Sequence, residues 1–172
     1  MKRRDILISL AIIAAALVAC YLVFQQEGNV EIVTPGVLLT LNRPFFGEMT
    51  LTSAQGPVRV PARAYFPRSL GLTAHANGST WSLSSTGPWG DLARVKVKPG
   101  RTTSLAVGPP LRIVPKVDIG PYQAYIDLQI FGGAGERYRN VIVKDGRSLP
   151  APELKIVNEE GSVLVTDKFQ YG

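Results

Sequence analysis

The chain has 172 residues, with 19 lysines and arginines against 13 acidic residues and a formal charge of +6. A single cysteine (Cys20) rules out an internal disulfide, and one histidine (His75) beside it rules out a zinc site built from these two residue types. Seventeen glycines and 13 prolines punctuate the chain so closely that no long helical period survives after the first segment, which points to an all-β body.

That first segment runs from Ile6 to Phe24 without a charge or a proline, with Lys2, Arg3 and Arg4 just before it and Asp5 between. As a helix it would be about 28 Å long, close to the hydrocarbon thickness of a bilayer. The flanking cations favour a cytoplasmic N-terminus. The expectation is a cytoplasmic stub at 1–5, a transmembrane signal anchor at 6–24, a spacer at 25–29 and an extracytoplasmic body. Two alternatives place the body in the same compartment. Leu17-Val18-Ala19-Cys20 is similar to a bacterial lipobox, which would make Cys20 a lipidated mature N-terminus, and a cleaved signal peptide would release the body altogether. The apolar run through Tyr21, Leu22, Val23 and Phe24 favours the uncleaved anchor.

Past the spacer, Val30 to Thr34 reads as a strand ended by Pro35-Gly36, with Val37 to Leu41 as its hairpin partner. Glu48 to Ser53 alternates as another. Val58 to Phe66 puts Val58, Val60, Ala62, Ala64 and Phe66 on one face, with Pro61 marking an edge or a bulge. Asn77-Gly78 is a two-residue hairpin turn; Trp81 and Leu83 follow it as inward positions. Leu92 to Lys98 and Thr102 to Val107 read as a hairpin about Pro99-Gly100. Gly108-Pro109-Pro110 separates β domain 1 (30–108) from β domain 2 (111–172). In the second, Leu111 to Ile119 and Tyr122 to Phe131 alternate, Gly132 to Gly135 interrupts, and Glu136 to Val143 resumes. Leu154 to Val157 pairs with Ser162 to Tyr171 through Asn158-Glu159-Glu160-Gly161. About five strands are few for a closed sandwich, so domain 2 is expected to lean on domain 1 or to be incomplete.

Candidate chemistry is sparse. Excluding the first five residues, the body carries 16 basic and 12 acidic residues, or +4, which suits solubility beside an anionic membrane. Arg94, Lys96, Lys98 and Arg101 alternate with Ala93, Val95 and Val97 as the wet face of a strand, so no nucleic-acid partner is expected. His75 lies in a polar turn with no Gly-x-Ser-x-Gly elbow to supply a nucleophile. Glu159 and Glu160 read as a wet hairpin tip rather than a calcium site. Gly132-Gly133-Ala134-Gly135 lacks the following helix of a phosphate loop. No catalytic, cofactor or metal residue is assigned. Convergence of Asp118, Asp127 and Glu136 in one pocket would be the mark of an enzyme. Trp89, between Gly87-Pro88 and Gly90, could offer an aromatic binding loop, although packing over the sandwich end suits it as well.

The run from Pro152 to Tyr171, centred on Lys155-Ile156-Val157-Asn158-Glu159-Glu160-Gly161-Ser162-Val163-Leu164, resembles the hairpin of prealbumin-like β domains of the carboxypeptidase regulatory-like family. The chain is also similar to anchored proteins of planctomycete-type bacteria. That likeness rests on Trp81 with Gly87-Pro88-Trp89-Gly90, Val97-Lys98-Pro99-Gly100 with Thr102-Thr103, Gly108-Pro109-Pro110-Leu111, Gly135-Glu136-x-Tyr138 and Phe169-x-Tyr171-Gly172. The resemblance implies one or two small Ig-like or prealbumin-like β-sandwich domains and no catalytic role; it also implies further strands beyond Gly172. The function expected is an anchored module that binds or scaffolds envelope proteins or polymers, with a subunit of an envelope polymer-processing enzyme as the alternative.

Overall fold

The computed structural model describes residues 12–16, 18, 26–43 and 47–169. Residues 12–16 and 18 are helical. Most of the expected span at 6–24, Cys20 included, lies outside the described residues. Among those that are described, no helix is long and apolar enough to cross a membrane.

Among the described residues that remain there are fifteen strands: β1 (Glu27–Ile32), β2 (Val37–Arg43), β3 (Gly47–Thr52), β4 (Val58–Pro61), β5 (Ala64–Ala76), β6 (Ser79–Ser85), β7 (Val95–Lys96), β8 (Thr102–Leu105), β9 (Arg112–Ile119), β10 (Ala124–Phe131), β11 (Arg137–Tyr138), β12 (Val143–Lys144), β13 (Arg147–Ser148), β14 (Glu153–Val157) and β15 (Val163–Lys168). The body is all-β, as its composition implies. A sheet ordered β4-β1-β8 faces a larger one ordered β13-β12-β6-β5-β2-β3, with β7 paired to β5. Val30, Ile32, Val60 and Leu105 from the first sheet and Leu39, Leu41, Leu51, Leu70 and Leu72 from the second close one sandwich-like core. Two smaller sheets, β11-β10-β9 and β14-β15, project from it.

Local turn signals land where alternation places them. Asn77 and Gly78 take φ of 51° and 74° between β5 and β6, and Asp145 and Gly146 take 50° and 78° between β12 and β13. Strand partners are another matter. β1 does not pair with β2: it runs antiparallel to β4 and parallel to β8. At Thr34-Pro35-Gly36 the chain therefore crosses between sheets, and Thr73 N–H donates to the Gly36 carbonyl at 2.8 Å. Turn chemistry ends a ladder without choosing the next one; burial of both apolar faces does that.

Continuous alternation from Val58 to Phe66 also fails, for the same reason. β4 ends at Pro61, the chain crosses to the other sheet through Ala62 and Arg63, and the inward face is reset. Tyr65 is fully buried, while Phe66 is exposed. The Tyr65 hydroxyl donates to the Pro61 carbonyl at 2.7 Å and staples the crossing. Farther on, Thr40 pairs with Ser69 but Leu41 pairs with Pro67, so Arg68 is an extra residue in β5. A bulge suits a strand whose proline cannot donate to the ladder, and it turns Arg68 outward onto the Glu48 carboxylate.

Leu92 to Lys98 is shorter as a strand than its alternation suggests. Gly90 to Ala93 forms a 3-10 turn that inserts Leu92 into the core, and only Val95–Lys96 pairs. Lys96, Lys98 and Arg101 are exposed, as expected of a wet face. Contacts also run across the Gly108-Pro109-Pro110 segment: Ile130 and Tyr138 enter the same core as β1 and β2, and β12 pairs with β6.

Candidate binding groove

The β9–β10 hairpin is rooted at Glu136. This side chain is fully buried, and its carboxyl oxygens accept from Gly108 N–H at 2.6 Å, Ala134 N–H at 3.0 Å and the Tyr138 hydroxyl at 3.0 Å. Gly108 precedes the hairpin and Ala134 follows it, so one side chain clasps both of its ends. Gly133 N–H adds a bond to the Gly108 carbonyl at 2.7 Å. Gly132 is required because a Cβ there would sit within the Glu136 carboxyl group. The glycine run is thus a turn closing on an acid.

Tyr138 titrates far above its ordinary range. Burial is the main cause, reinforced by the Glu136 charge and by the hydrogen bond to it. Tyr138 holds its proton more tightly folded than unfolded. The stability this represents is complete below the unfolded value near about 10 and is lost as pH rises beyond it. Tyr138→Phe is expected to flatten the alkaline decline in urea midpoints between about pH 8 and about pH 11. Equal slopes in both proteins would rule out Tyr138 as its source.

Above that root, register puts Ile113, Pro115, Val117 and Ile119 of β9 and Ala124, Ile126, Leu128 and Ile130 of β10 on one face. Cross-strand partners share a face, so this side of the hairpin is wholly apolar. The other is mixed: Arg112, Lys116, Asp118, Asp127 and Gln129 share it with Val114, Tyr125 and Phe131. In β14–β15, Leu154, Ile156, Val165 and Asp167 likewise share a side. β10 and the β14–β15 hairpin border an open groove of about 550 Å³. Five consecutive β10 residues, Ala124 to Leu128, border it. Because successive side chains point to opposite faces, a strand can line a cavity with consecutive residues only along its edge. β11 covers that edge solely at Ile130 and Phe131.

At the rim, Asp127 accepts from Gln129 Nε2 and Asn140 Nδ2, each at 3.2 Å. Lys116, its cross-strand neighbour, pairs with Asp118 at 2.8 Å. Asp167 accepts from the Lys168 backbone N–H at 2.7 Å. Neither Asp127 nor Asp167 forms an ion pair among the described residues.

Other residues singled out from sequence lie elsewhere. Trp89 is half-buried and packs against the sandwich core, in a loop held by Arg137 N–H donating to the Pro88 carbonyl at 2.8 Å. Trp81, expected inward, is half-buried beneath the Lys144 ammonium, 5.1 Å from its ring centroid. His75 is exposed and hydrogen-bonded to Thr80 at 3.1 Å. Glu159 and Glu160 sit exposed at the β14–β15 turn. Asp118, Asp127 and Glu136 do not share a pocket: Asp127 borders the groove, Asp118 is paired outside it and Glu136 is enclosed at the root. Among the described residues no cluster of three or more His, Cys, Asp or Glu side chains could hold a metal ion. The groove itself escaped sequence reasoning, although the matching alternation of β9, β10 and β14–β15 is its signal. Comparison with protein-family models, curated proteins and solved structures gives no match to this chain.

Proposed function

We propose that this chain is a membrane-anchored, extracytoplasmic β-sandwich protein that binds or scaffolds other components of the cell envelope. The anchor is the 6–24 segment, with the basic stub in the cytoplasm. The body is one or two Ig-like or prealbumin-like sandwich units, as the resemblance of the Pro152–Tyr171 hairpin implies; the Tyr65–Pro61 staple, of the kind found at the corners of Greek-key sandwiches, supports that reading. Nucleic acid is not among its partners, because the basic residues are dispersed on wet strand faces rather than gathered with stacking aromatics.

The observation that carries the binding role is the open groove. Apolar walls with a few polar groups at the rim are the usual make-up of a recognition site, whereas catalysis would need convergent acid–base groups. The test is a photo-crosslinking residue at Leu154 in intact cells, with the same residue at exposed Ala76, beside the β5–β6 turn, as control. The expected result is a discrete adduct from position 154 alone, in the membrane fraction. Adducts equal at both positions, or recovery of the intact chain in the cytoplasm, would overturn the reading. The mass of the purified chain distinguishes the anchor, with Met1 present and Cys20 unmodified, from lipidated or cleaved forms.

A further inference from the structure

We propose that the groove is a strand-acceptor site, and that its occupant is an extended polypeptide segment of another protein, alternating apolar with basic side chains. This deepens the binding reading above and rests on it.

Three features of the groove define the occupant. The first is the free edge of β10 along Ala124 to Leu128. Backbone N–H and C=O groups there have neither β11 nor β14 as a ladder partner, and an unpaired edge is completed by another strand. The opposite edge of this small sheet, on β9, is blunted by Pro115, which lacks an N–H, and by Lys116 beside it. Addition is therefore directed to the groove side.

The second feature is the facing wall. A strand laid against β10 would place alternate side chains over Leu154, Ile156 and Val165, which line the groove from the β14–β15 hairpin. Those guest residues must be apolar. A groove of about 550 Å³ has room for several aliphatic side chains and would be filled by them.

The third feature sets the charge. Guest residues between the apolar ones emerge on the opposite face of the β9–β10 sheet, beside Tyr125 and Asp127, while Asp167 and Lys168 border the groove together on the β14–β15 side. Asp127 is held by the Gln129 and Asn140 amides, and Lys116 is already engaged by Asp118. A lysine or arginine directly across from Asp127 completes an opposite-charge pair; a glutamate there is repelled. A second copy of this chain fits less well, because its apolar–basic runs are already committed: β9 is paired to β10 along its length, and Val95 and Val97, which alternate with Arg94, Lys96 and Lys98, are buried in the sandwich core.

The test uses the full chain in zwitterionic nanodiscs and a labelled, capped peptide of about seven residues alternating valine and lysine. Empty nanodiscs serve as the blank. Saturable binding is expected, with slowed hydrogen exchange at 124–128. The valine–glutamate counterpart should bind about tenfold more weakly, since it exchanges attraction to Asp127 for repulsion. A valine–lysine peptide N-methylated at alternate residues, in either phase, should lose about tenfold or more, because it cannot complete the ladder on the methylated edge. Asp127→Asn should weaken the lysine peptide about two- to fivefold.

Equal binding of the acidic or N-methylated peptides overturns the proposal. So does a reversible dimer that protects 124–128 without peptide, which would make a second copy the occupant. Protection of those amides in the peptide-free monomer would mean that the chain fills its own groove, with the same consequence. If the Leu154 crosslinker captures a partner in cells while the peptide series fails, the strand-acceptor inference falls and the broader binding role survives.

Discussion

Replacing Glu136 with alanine is expected to lower the unfolding free energy by about 3–5 kcal/mol. The residue is completely buried, and its two oxygens serve three donors: Gly108 N–H, Ala134 N–H and the Tyr138 hydroxyl. Truncation leaves all three enclosed without an acceptor, and each orphaned group costs roughly 1–3 kcal/mol, less where water can enter the space left behind. Set against a total stability of about 5–15 kcal/mol for an ordinary domain, this is a large fraction. Glu136→Gln keeps one carbonyl oxygen but turns an amide N–H₂ toward a neighbouring donor, so about half the loss is expected. Tyr138→Phe removes only one of three bonds and should cost about 1 kcal/mol. Urea unfolding followed by circular dichroism measures the series. A loss below about 1 kcal/mol for Glu136→Ala would show that the root of the hairpin does not depend on the clasp.

The next largest effect separates two isoleucines on the same apolar face of one hairpin. Ile130, 3% exposed, is part of the sandwich core, whereas Ile119, near the hairpin tip, is 84% exposed. Ile130→Ala should destabilise by about 2–4 kcal/mol, through lost burial and the cavity left behind. Ile119→Ala should change stability by less than about 0.5 kcal/mol, because there is little burial to lose. Equal effects measured by the same urea titration would mean that the outer half of the face is covered in solution.

How much of this could be read from residue order differs by element. Asn77-Gly78, Lys144-Asp145-Gly146 and Asn158-Glu159-Glu160-Gly161 announce their turns, because positive φ is a demand met by the residue itself. β9, β10 and the β14–β15 hairpin follow from period-two alternation. Pairing was less legible. β8 returns parallel to β1 rather than antiparallel to β7, and no local residue signals it, since register and partner depend on which faces are buried together. The exchange of Tyr65 for Phe66 as the buried aromatic has the same origin, in a chain that changes sheet two residues earlier. Leu92 was legible as apolar but not as part of a 3-10 turn, whose geometry depends on docking against Ala134 through Asp91 N–H at 2.8 Å.

The groove divides in the same way. Its walls are visible as alternating valines, leucines and isoleucines. Its openness is not, because alternation says that a face is apolar and cannot say whether another sheet covers it. Glu136 is the clearest case of a residue hidden from sequence: in a run of glycines it looks like part of a loop, and its donor Gly108 is 28 residues away.

By itself, then, the sequence determined an all-β body without disulfides, the turns at Asn77-Gly78, Asp145-Gly146 and Asn158 to Gly161, and the alternation of β9, β10 and the β14–β15 hairpin, all of which depend on neighbours within a few residues. It also supplied the long apolar segment on which the proposed location rests. Only the tertiary structure decided that Ile130 and Tyr138 return to the first core, that a buried carboxyl group clasps the two ends of the β9–β10 hairpin, and that the edge of β10 is left open beside an apolar wall. Those outcomes depend on which surfaces meet across long stretches of chain, where the free energy of burial is settled by the packing of whole sheets.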